Sequence, residues 1–555
     1  MPSPMAGTGK AVAVALLVLA PVAARADQAG ADALQADFDG LLRDIEQIFD
    51  LRVTPADPFR VAVDGAGYRV EVSAFAVGRD PSIPPAGEPG PTEIAMEVGA
   101  FAIALMPDPA DPDRTRFSID SVPAVIVTAE GAPALTMDQD SLSLRGVWSD
   151  ALDQPLQVSA SGTGLRATFG AAALPFGFGP ASDAAMVLEL ATLSSSSYLI
   201  AEGDGLWRIE SKARATELVS AMLVPDPDNP AAPPERTELD RIGALLSETT
   251  ASGVPVLAWH DLILDWLPRL AAEEGQLDAD QMRVRFAELL DALPVLFDRL
   301  VSHTQLQDVA SSGSSIALHD QSVEIAGGSS EAWDIRIADT ATGIQPLDIE
   351  AALDNLPGGG APLIDLNPDL AALVATLTPT GYDSVLDLHA VPFGRAWRDL
   401  VATADVWVDE PKTAFDVFFR TFGEAALDFG TSGTLDLTVD WAESRLSVDA
   451  ALAADREAAL SVAGAIDAGF ANMDAIGSGL TAGAGPEAGT FWLMLQALGQ
   501  REPLAESGSA LTRYRLEIDP DGTVTLNGID FGPVVRTVAS AFEAFSVGMV
   551  PPTLD

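Results

Sequence analysis

Residues 435–450 read LDLTVDWAESRLSVDA. Leu435, Leu437, Val439 and Trp441 alternate with Asp436, Thr438 and Asp440, and Leu446, Val448 and Ala450 answer them after a short polar interval. Neighbouring side chains on a strand point to opposite faces, so this alternation makes one apolar and one polar face. The spacing predicts an antiparallel hairpin with one face toward a core and one toward water. A third strand over 457–466 continues it as a meander. Further on, Asp519-Pro520-Asp521-Gly522 is strong turn chemistry and predicts a hairpin that pairs 512–518 with 523–528.

The same pattern holds upstream. Tyr68, Val70 and Val72 alternate with Arg69, Glu71 and Ser73. Strands are expected at 93–106, 115–129, 133–148, 155–169 and 185–211, separated by Gly, Pro and Asp turns, with a Pro/Gly-rich loop at 79–92. Helical spacing of Leu34, Phe38, Leu41, Leu42, Ile45 and Phe49 predicts a helix over 31–51. The proline-rich run 224–236 (VPDPDNPAAPPER) resists regular structure and reads as a linker. Helical signals dominate 237–302, where Trp259, Leu262, Ile263, Trp266 and Leu267 share a face. Strands return at 315–338. Helices are expected at 367–377, 393–401, 412–426, 490–499 and 534–547. No fixed-period repeat is present, which disfavours propellers and short-repeat solenoids.

These readings define an α+β protein of extended, curved antiparallel β-sheets with packing helices, in two or three parts. An N-terminal helix plus antiparallel β-rich domain spans 27–223, a Pro-rich linker and helical segment 224–310, and a C-terminal α+β domain with a β-meander and closing hairpin 311–555.

The first 26 residues have the form of a cleavable signal peptide. Lys10 supplies the positive charge, Ala11–Ala20 an apolar run, Pro21 a break, and Ala24-Arg25-Ala26 a small-x-small cleavage site. The expectation is a periplasmic or secreted protein. No Cys follows the apolar run, which excludes a lipoprotein anchor, and no later segment is long and apolar enough to span a membrane as a helix. The chain has no cysteine at all, which removes thiol nucleophiles, iron–sulfur clusters and cysteine zinc sites. Its formal charge is −50, with 81 acidic against 31 basic residues. Such a surface repels nucleic acid and anionic head groups.

No motif fixes a reaction. The four histidines (His260, His303, His319, His389) are scattered, with no His-Glu-x-x-His spacing. His260-Asp261 and His319-Asp320 are adjacent pairs, but neighbours on a strand face opposite ways and neighbours on a helix diverge by about 100°. The Gly-x-Ser-x-Gly elbow is absent. The Asp-rich turns (Asp108, Asp111 and Asp113; Asp226 and Asp228; Asp519 and Asp521 with Gly522) offer part of a calcium loop without its distal Glu, and solvated turns are the simpler reading. Gly162-x-Gly164-x-x-Ala167 lacks the helix onset of a dinucleotide site. Neither metal nor cofactor is implied.

Aromatic residues supply the clearest candidates. Phe415, Phe418, Phe419 and Phe422 crowd one predicted helix. With Trp259 and Trp266 they are the candidate lining of an apolar ligand groove, the alternative being plain core packing.

The stretch 511–532, LTRYRLEIDPDGTVTLNGIDFG, carries Asp521-Gly522-Thr523-Val524 and Asn527-Gly528 after a strand and a helix. In this it resembles a family of uncharacterised exported alphaproteobacterial proteins defined only as a domain of unknown function. The resemblance implies a periplasmic, sheet-rich protein and carries over no functional residue. The functional expectation is a non-enzymatic periplasmic protein that binds an apolar or envelope-derived ligand or supports the envelope. The alternatives are an interaction protein using its acidic surface, and a hydrolase with a dispersed Ser/His/Asp site.

Overall fold

The structure is a computed structural model. It describes residues 26–49, 51–79, 94–129, 132–152, 154–170, 184–225, 229, 232–262, 281, 284–285, 288, 297–311, 314–327, 331–345, 374, 376–402, 411–483, 486–503 and 510–532. The expected signal peptide (bar Ala26) and the expected helix at 534–547 lie outside these residues, as does most of 367–377.

Among the described residues strand far outweighs helix, 64% against 17%, and every pairing described between strands is antiparallel. The expected α+β balance is therefore corrected to a mainly β architecture with few helices. The chain divides into two compact units. The first holds residues 1–278, 304–312 and 355–359; the second holds 279–303, 313–354 and 360–555.

The first unit begins with α1 (Gln28–Phe49), whose Ala31, Leu34 and Phe38 fall on one face and are buried. They pack with Tyr68, Val70, Ile103, Leu105, Ile119 and Trp148 into one core. Gln35 accepts a hydrogen bond from the Val61 backbone N–H at 3.0 Å, tying the helix to the sheet. Strands β2 (Arg60–Asp64), β3 (Gly67–Val72), β6 (Phe101–Asp108), β7 (Asp111–Ile119) and β10 (Ser141–Ser149) pair in that order. A second run pairs β1 (Leu51–Pro55), β4 (Phe75–Arg79), β5 (Ile94–Val98), β8 (Val125–Ala129) and β9 (Ala132–Asp138). Both runs meet on β11 (Gln154–Phe169). Residues up to Thr163 pair with β10 and residues from Arg166 pair with β9, the division falling at Gly164 with φ +59°. The second run buries Val77, Met96, Val98 and Val127, and Phe75 and Phe101 pack against both cores.

From β11 the sheet continues through β12 (Ala185–Gly203), β13 (Leu206–Val224) and β14 (Glu235–Val254). Here the helical expectation over 237–302 is overturned for its first third. Apolar residues at 242, 244, 245 and 246 fit either period, so the pattern is ambiguous. The open backbone edge of β13 decides, since its N–H and C=O groups need partners. Ser220 donates to Asp240 at 2.9 Å and Lys212 pairs with Glu248 across this ladder. The Pro-rich run 224–236 joins β13 to β14, which pair from Val224↔Glu235 inward. A short helix, α2 (Val256–Asp261), follows.

The strand β15 (Arg299–Ser311) divides between the units, 299–303 falling in the second and 304–311 in the first, and in the second unit β16 (Ser314–Ala326), β17 (Trp333–Thr342) and β18 (Gly381–Val391) follow it. Helices α3 (Phe393–Ala402) and α4 (Pro411–Phe429) separate β18 from β19 (Ser432–Asp440), β20 (Arg445–Ala454) and β21 (Val462–Ala471). Helices α5 (Met473–Gly483) and α6 (Pro486–Leu498) come next, then β22 (Gln500–Pro503), β23 (Ala510–Ile518), β24 (Val524–Leu526) and β25 (Ile529–Asp530). The hairpin read from 435–450 forms in the expected register, Leu437↔Val448 and Val439↔Leu446. The third strand runs five residues later than expected at its start. The closing hairpin turns at Gly522 (φ +85°), and Asn527-Gly528 makes a second two-residue turn with both residues at positive φ.

Helix α5 has no counterpart in the sequence reading, because Gly477, Gly479 and Gly483 depress helix propensity. Packing forms it: Met473 and Ile476 are buried with Phe470 and Trp492. Gly477 leaves room for the Trp492 ring, since a Cβ there would lie 2.3 Å from Trp492 Cδ1. Because strands alternate in direction, α3 and α4 stand at one end of the strands and α5 and α6 at the other.

Candidate functional site

The register of the second unit sorts its side chains into two faces. One face holds four rows across the strands. The first is His319, Ala341, Tyr382, Val439, Leu446, Phe470, Thr512; the second Gln321, Asp339, Ser384, Leu437, Val448, Ala468, Tyr514. The third is Val323, Ile337, Leu386, Leu435, Ala450, Ile466, Leu516, Leu526; the fourth Ile325, Ile335, Leu388, Gly433, Leu452, Gly464, Ile518, Val524. The opposite face carries Asp320, Glu324, Arg336, Asp383, Asp387, Asp436, Asp449, Asp467, Arg513, Arg515 and Glu517. Seven inter-strand spacings of about 4.8 Å carry the apolar rows about 34 Å across the sheet. Apart from Val524, which is buried, the aliphatic side chains of the third and fourth rows remain partly exposed.

One corner of this face is polar. His319 Nε2 donates to Asp339 Oδ1 at 2.7 Å, Tyr382 donates its hydroxyl to Asp339 Oδ2 at 3.1 Å, and Ser384 donates to the Asp339 backbone carbonyl at 3.3 Å. Burial raises the Tyr382 pKa above its ordinary value, and the Asp339 charge and hydrogen bond raise it further. The side chains of His319 and Asp339 are 26% and 24% exposed, so the pair is accessible. His319 Nδ1 and the Gln321 amide make no hydrogen bond among the described residues.

Aromatic rings gather at both ends of the strands. At the α3/α4 end, Phe297, Trp333, Phe393, Phe422, Phe418 and Phe419 form a continuous series with centroids 5.4–6.2 Å apart. At the α5/α6 end, Trp441 stacks on Phe470 at 5.8 Å and Trp492 meets Phe470 edge-on at 5.7 Å. Trp492 Nε1 donates to the Met473 carbonyl and Trp441 Nε1 to that of Leu377, whereas Trp333 Nε1 is buried with no partner in the described residues.

Of the aromatic candidates read from sequence, the structure brings together Phe418, Phe419 and Phe422. Phe418 and Phe422 are partly buried, while Phe419 points outward at 65% exposure. Phe415 lies on the same helix, its side chain outside the described residues. Trp259 sits on α2 in the first unit. Trp266 lies outside the described residues. The sequence reading missed Trp333 and Phe393, which bridge α4 to the sheet, and the cluster around Asp339.

The adjacent pair His319–Asp320 is not a contact, and the side chains of His260 and Asp261 lie outside the described residues. Strand alternation sends His319 and Asp320 to opposite faces, where His319 finds Asp339 and Asp320 accepts from His303 Nε2 at 2.9 Å. No hydroxyl reaches the second ring nitrogen of either histidine among the described residues, so the geometry holds base–carboxylate pairs without a nucleophile.

In the first unit a recess of about 770 Å³ is lined by Asp113, Arg114, Ser149, Gln157, Tyr198 and Trp207, together with Asp108, Asp111 and Arg116. Asp108 pairs with Arg116 and Asp111 with Arg114. The Asp108 pKa is lowered, first by the Ala110 backbone N–H and then by the two arginines, against opposing desolvation. Among the described residues no three imidazoles or carboxylates converge into a metal-binding group, and no helix is long and apolar enough to cross a membrane.

Family models, curated proteins and solved structures were compared with the chain, and none matches it.

Proposed function

We propose that this chain is a non-enzymatic exported protein that holds an apolar, lipid-like molecule against the apolar face of its second unit. The observation that carries the reading is the row structure itself. Strands β16–β21, β23 and β24 put aliphatic side chains on one face and charge on the other, yet most of those aliphatic side chains stay partly exposed. A contiguous apolar surface of this extent is unusual on a protein with no partner for it and marks a binding surface. Covering it is favourable by about 25 cal/mol per Å² of apolar area removed from water. The aromatic series at the two ends would bound the ligand along the strands. Residues 1–26 supply the export part of the reading, and the absence of a nucleophile beside His303 or His319 among the described residues supports a binding role over hydrolysis.

The test is fluorescence of N-phenyl-1-naphthylamine, a neutral apolar probe, with the purified full chain, alongside organic extraction of protein isolated from the periplasm. The expected result is enhanced probe emission, lost when Leu386→Asp or Leu437→Asp places a carboxylate in the rows, and a lipid in the extract. Emission unchanged by the protein, with an extract free of lipid, would remove the reading.

A further inference from the structure

We infer that the occupant of this face is an amphiphile with an uncharged, hydroxyl-bearing headgroup, its head at the polar corner and its chain along the aliphatic rows. The inference rests on the apolar-binding reading and names the class of ligand. Its basis is the mixture of groups that the register sets into an otherwise apolar face: His319, Gln321, Asp339, Tyr382 and Ser384, all from β16, β17 and β18.

Charge narrows the headgroup. In the four rows Asp339 is the one carboxylate and there is no lysine or arginine. Arg336, Arg445, Arg513 and Arg515 all fall on the opposite face by register. An anionic headgroup would therefore meet a carboxylate with no cation to answer it. A cationic headgroup would need Asp339, but both its oxygens already accept hydrogen bonds, one from His319 and one from Tyr382. Asp339 is thus engaged in orienting its neighbours.

Hydrogen-bonding capacity then selects among neutral groups. With Nε2 engaged by Asp339, His319 keeps Nδ1 for a hydrogen bond to the ligand. Gln321 stands directly opposite Asp339 in the ladder and offers both amide donors and a carbonyl acceptor, none of them used among the described residues. The Tyr382 and Ser384 oxygens retain lone pairs after donating. Acceptors and donors lie side by side, and a hydroxyl is the ligand group that satisfies both at once. A polyol headgroup, such as glycerol or a sugar, presents several hydroxyls at that spacing. From this corner the third and fourth rows run on as Val323, Ile337, Leu386, Leu435 and their neighbours, a surface for the hydrocarbon chain.

The experiment displaces N-phenyl-1-naphthylamine from the full chain with three amphiphiles of one chain length, below their micelle concentrations: monolauroylglycerol, laurate and dodecyltrimethylammonium. Monolauroylglycerol is expected to displace the probe at a concentration at least tenfold lower than either charged compound. His319→Ala and Gln321→Ala should each reduce that preference severalfold, read as the ratio of displacing concentrations within each variant, with far-UV circular dichroism confirming that both variants fold. Equal displacement by all three compounds, preference for a charged one, or a preference that survives both substitutions would overturn the headgroup assignment while leaving apolar binding standing. No probe binding by the unsubstituted chain would overturn both.

Discussion

His319 Nε2 donates to Asp339 Oδ1 at 2.7 Å along a diagonal of the β16–β17 ladder, since the residue directly opposite Asp339 is Gln321. Tyr382 reaches the other carboxylate oxygen from β18. One aspartate thereby joins three strands through side chains, on a face whose other side chains are mostly apolar.

Replacing that carboxylate should loosen all three strands. Asp339→Asn keeps one carbonyl acceptor and turns an N–H donor toward either the imidazole or the phenol. The expected cost is about 1–2 kcal/mol, the range for hydrogen bonds to a charged group, reduced by partial exposure. Two compact units need not unfold together, so a single midpoint is not a sufficient readout. Amide hydrogen exchange across β16, β17 and β18 is the measurement; protection there equal to that of the parent would count against the clamp.

Tyr382 should titrate late. Burial opposes the phenolate first, and the Asp339 charge and hydrogen bond oppose it further, so its folded pKa lies above the ordinary value of about 10. A raised pKa means that the folded state holds the proton more tightly. The contribution to stability is complete below about pH 10 and is lost as pH rises through the folded value. Ultraviolet titration of phenolate absorbance, compared between the parent and Tyr382→Phe, identifies the transition. Asp339→Asn should move it down without restoring the ordinary value, because burial remains. A Tyr382 transition at the ordinary pH would contradict the geometry.

The alternation at 435–450 was sufficient to read the hairpin and its register, because the strand positions of one face are apolar and those of the other polar. β18 was harder to read, since Ser384 and Val385 exchange the polarity expected at their positions and blur the period of 2. The strand β14 was hidden by apolar residues on both parities, and only the unpaired edge of β13 resolves it. Turn chemistry is a local signal and was legible. The Asp339 cluster was not: His319, Asp339 and Tyr382 lie 20 and 43 residues apart, and their meeting depends on a register that no single segment contains. The aromatic series was half legible, since helical spacing groups Phe418 with Phe422, while Trp333 and Phe393 enter from a strand end and a neighbouring helix.

Gly464 holds the fourth row close to its neighbour. Its φ is +146°, and a Cβ there would lie 2.1 Å from the Ala451 carbonyl oxygen, a backbone atom that cannot turn aside. Gly464→Ala should destabilise the second unit by about 1–3 kcal/mol, the usual cost of forced overpacking. Gly423→Ala on helix α4 is the contrast: nothing lies within 4 Å of its added Cβ, and the substitution should stabilise by up to about 1 kcal/mol through helix propensity. Thermal unfolding of the two variants should therefore shift in opposite directions. A neutral Gly464→Ala would show that β20 and β21 lie farther apart than described.

Acid should weaken the first unit through Glu189. Arg236 donates to both its carboxylate oxygens, at 3.0 Å and 2.5 Å, and Arg166 lies 3.5 Å away. The hydrogen bond from Arg236 lowers the Glu189 pKa against opposing desolvation, and the partner's pKa is raised in turn, so both members of the pair report the same attraction. A depressed folded pKa means that the unfolded chain takes up the proton first. The stabilisation is complete above the ordinary glutamate value of about 4.3 and fades as pH falls through the lower folded value. The side chains are 30% and 41% exposed, so solvent screening holds the contribution to about 1 kcal/mol or less. Unfolding midpoints of the parent and Glu189→Gln, followed from neutral pH down past 4, should differ most at neutrality and converge in acid. Parallel curves across that range would show that the pair adds nothing to the pH dependence of β12, β13 and β14.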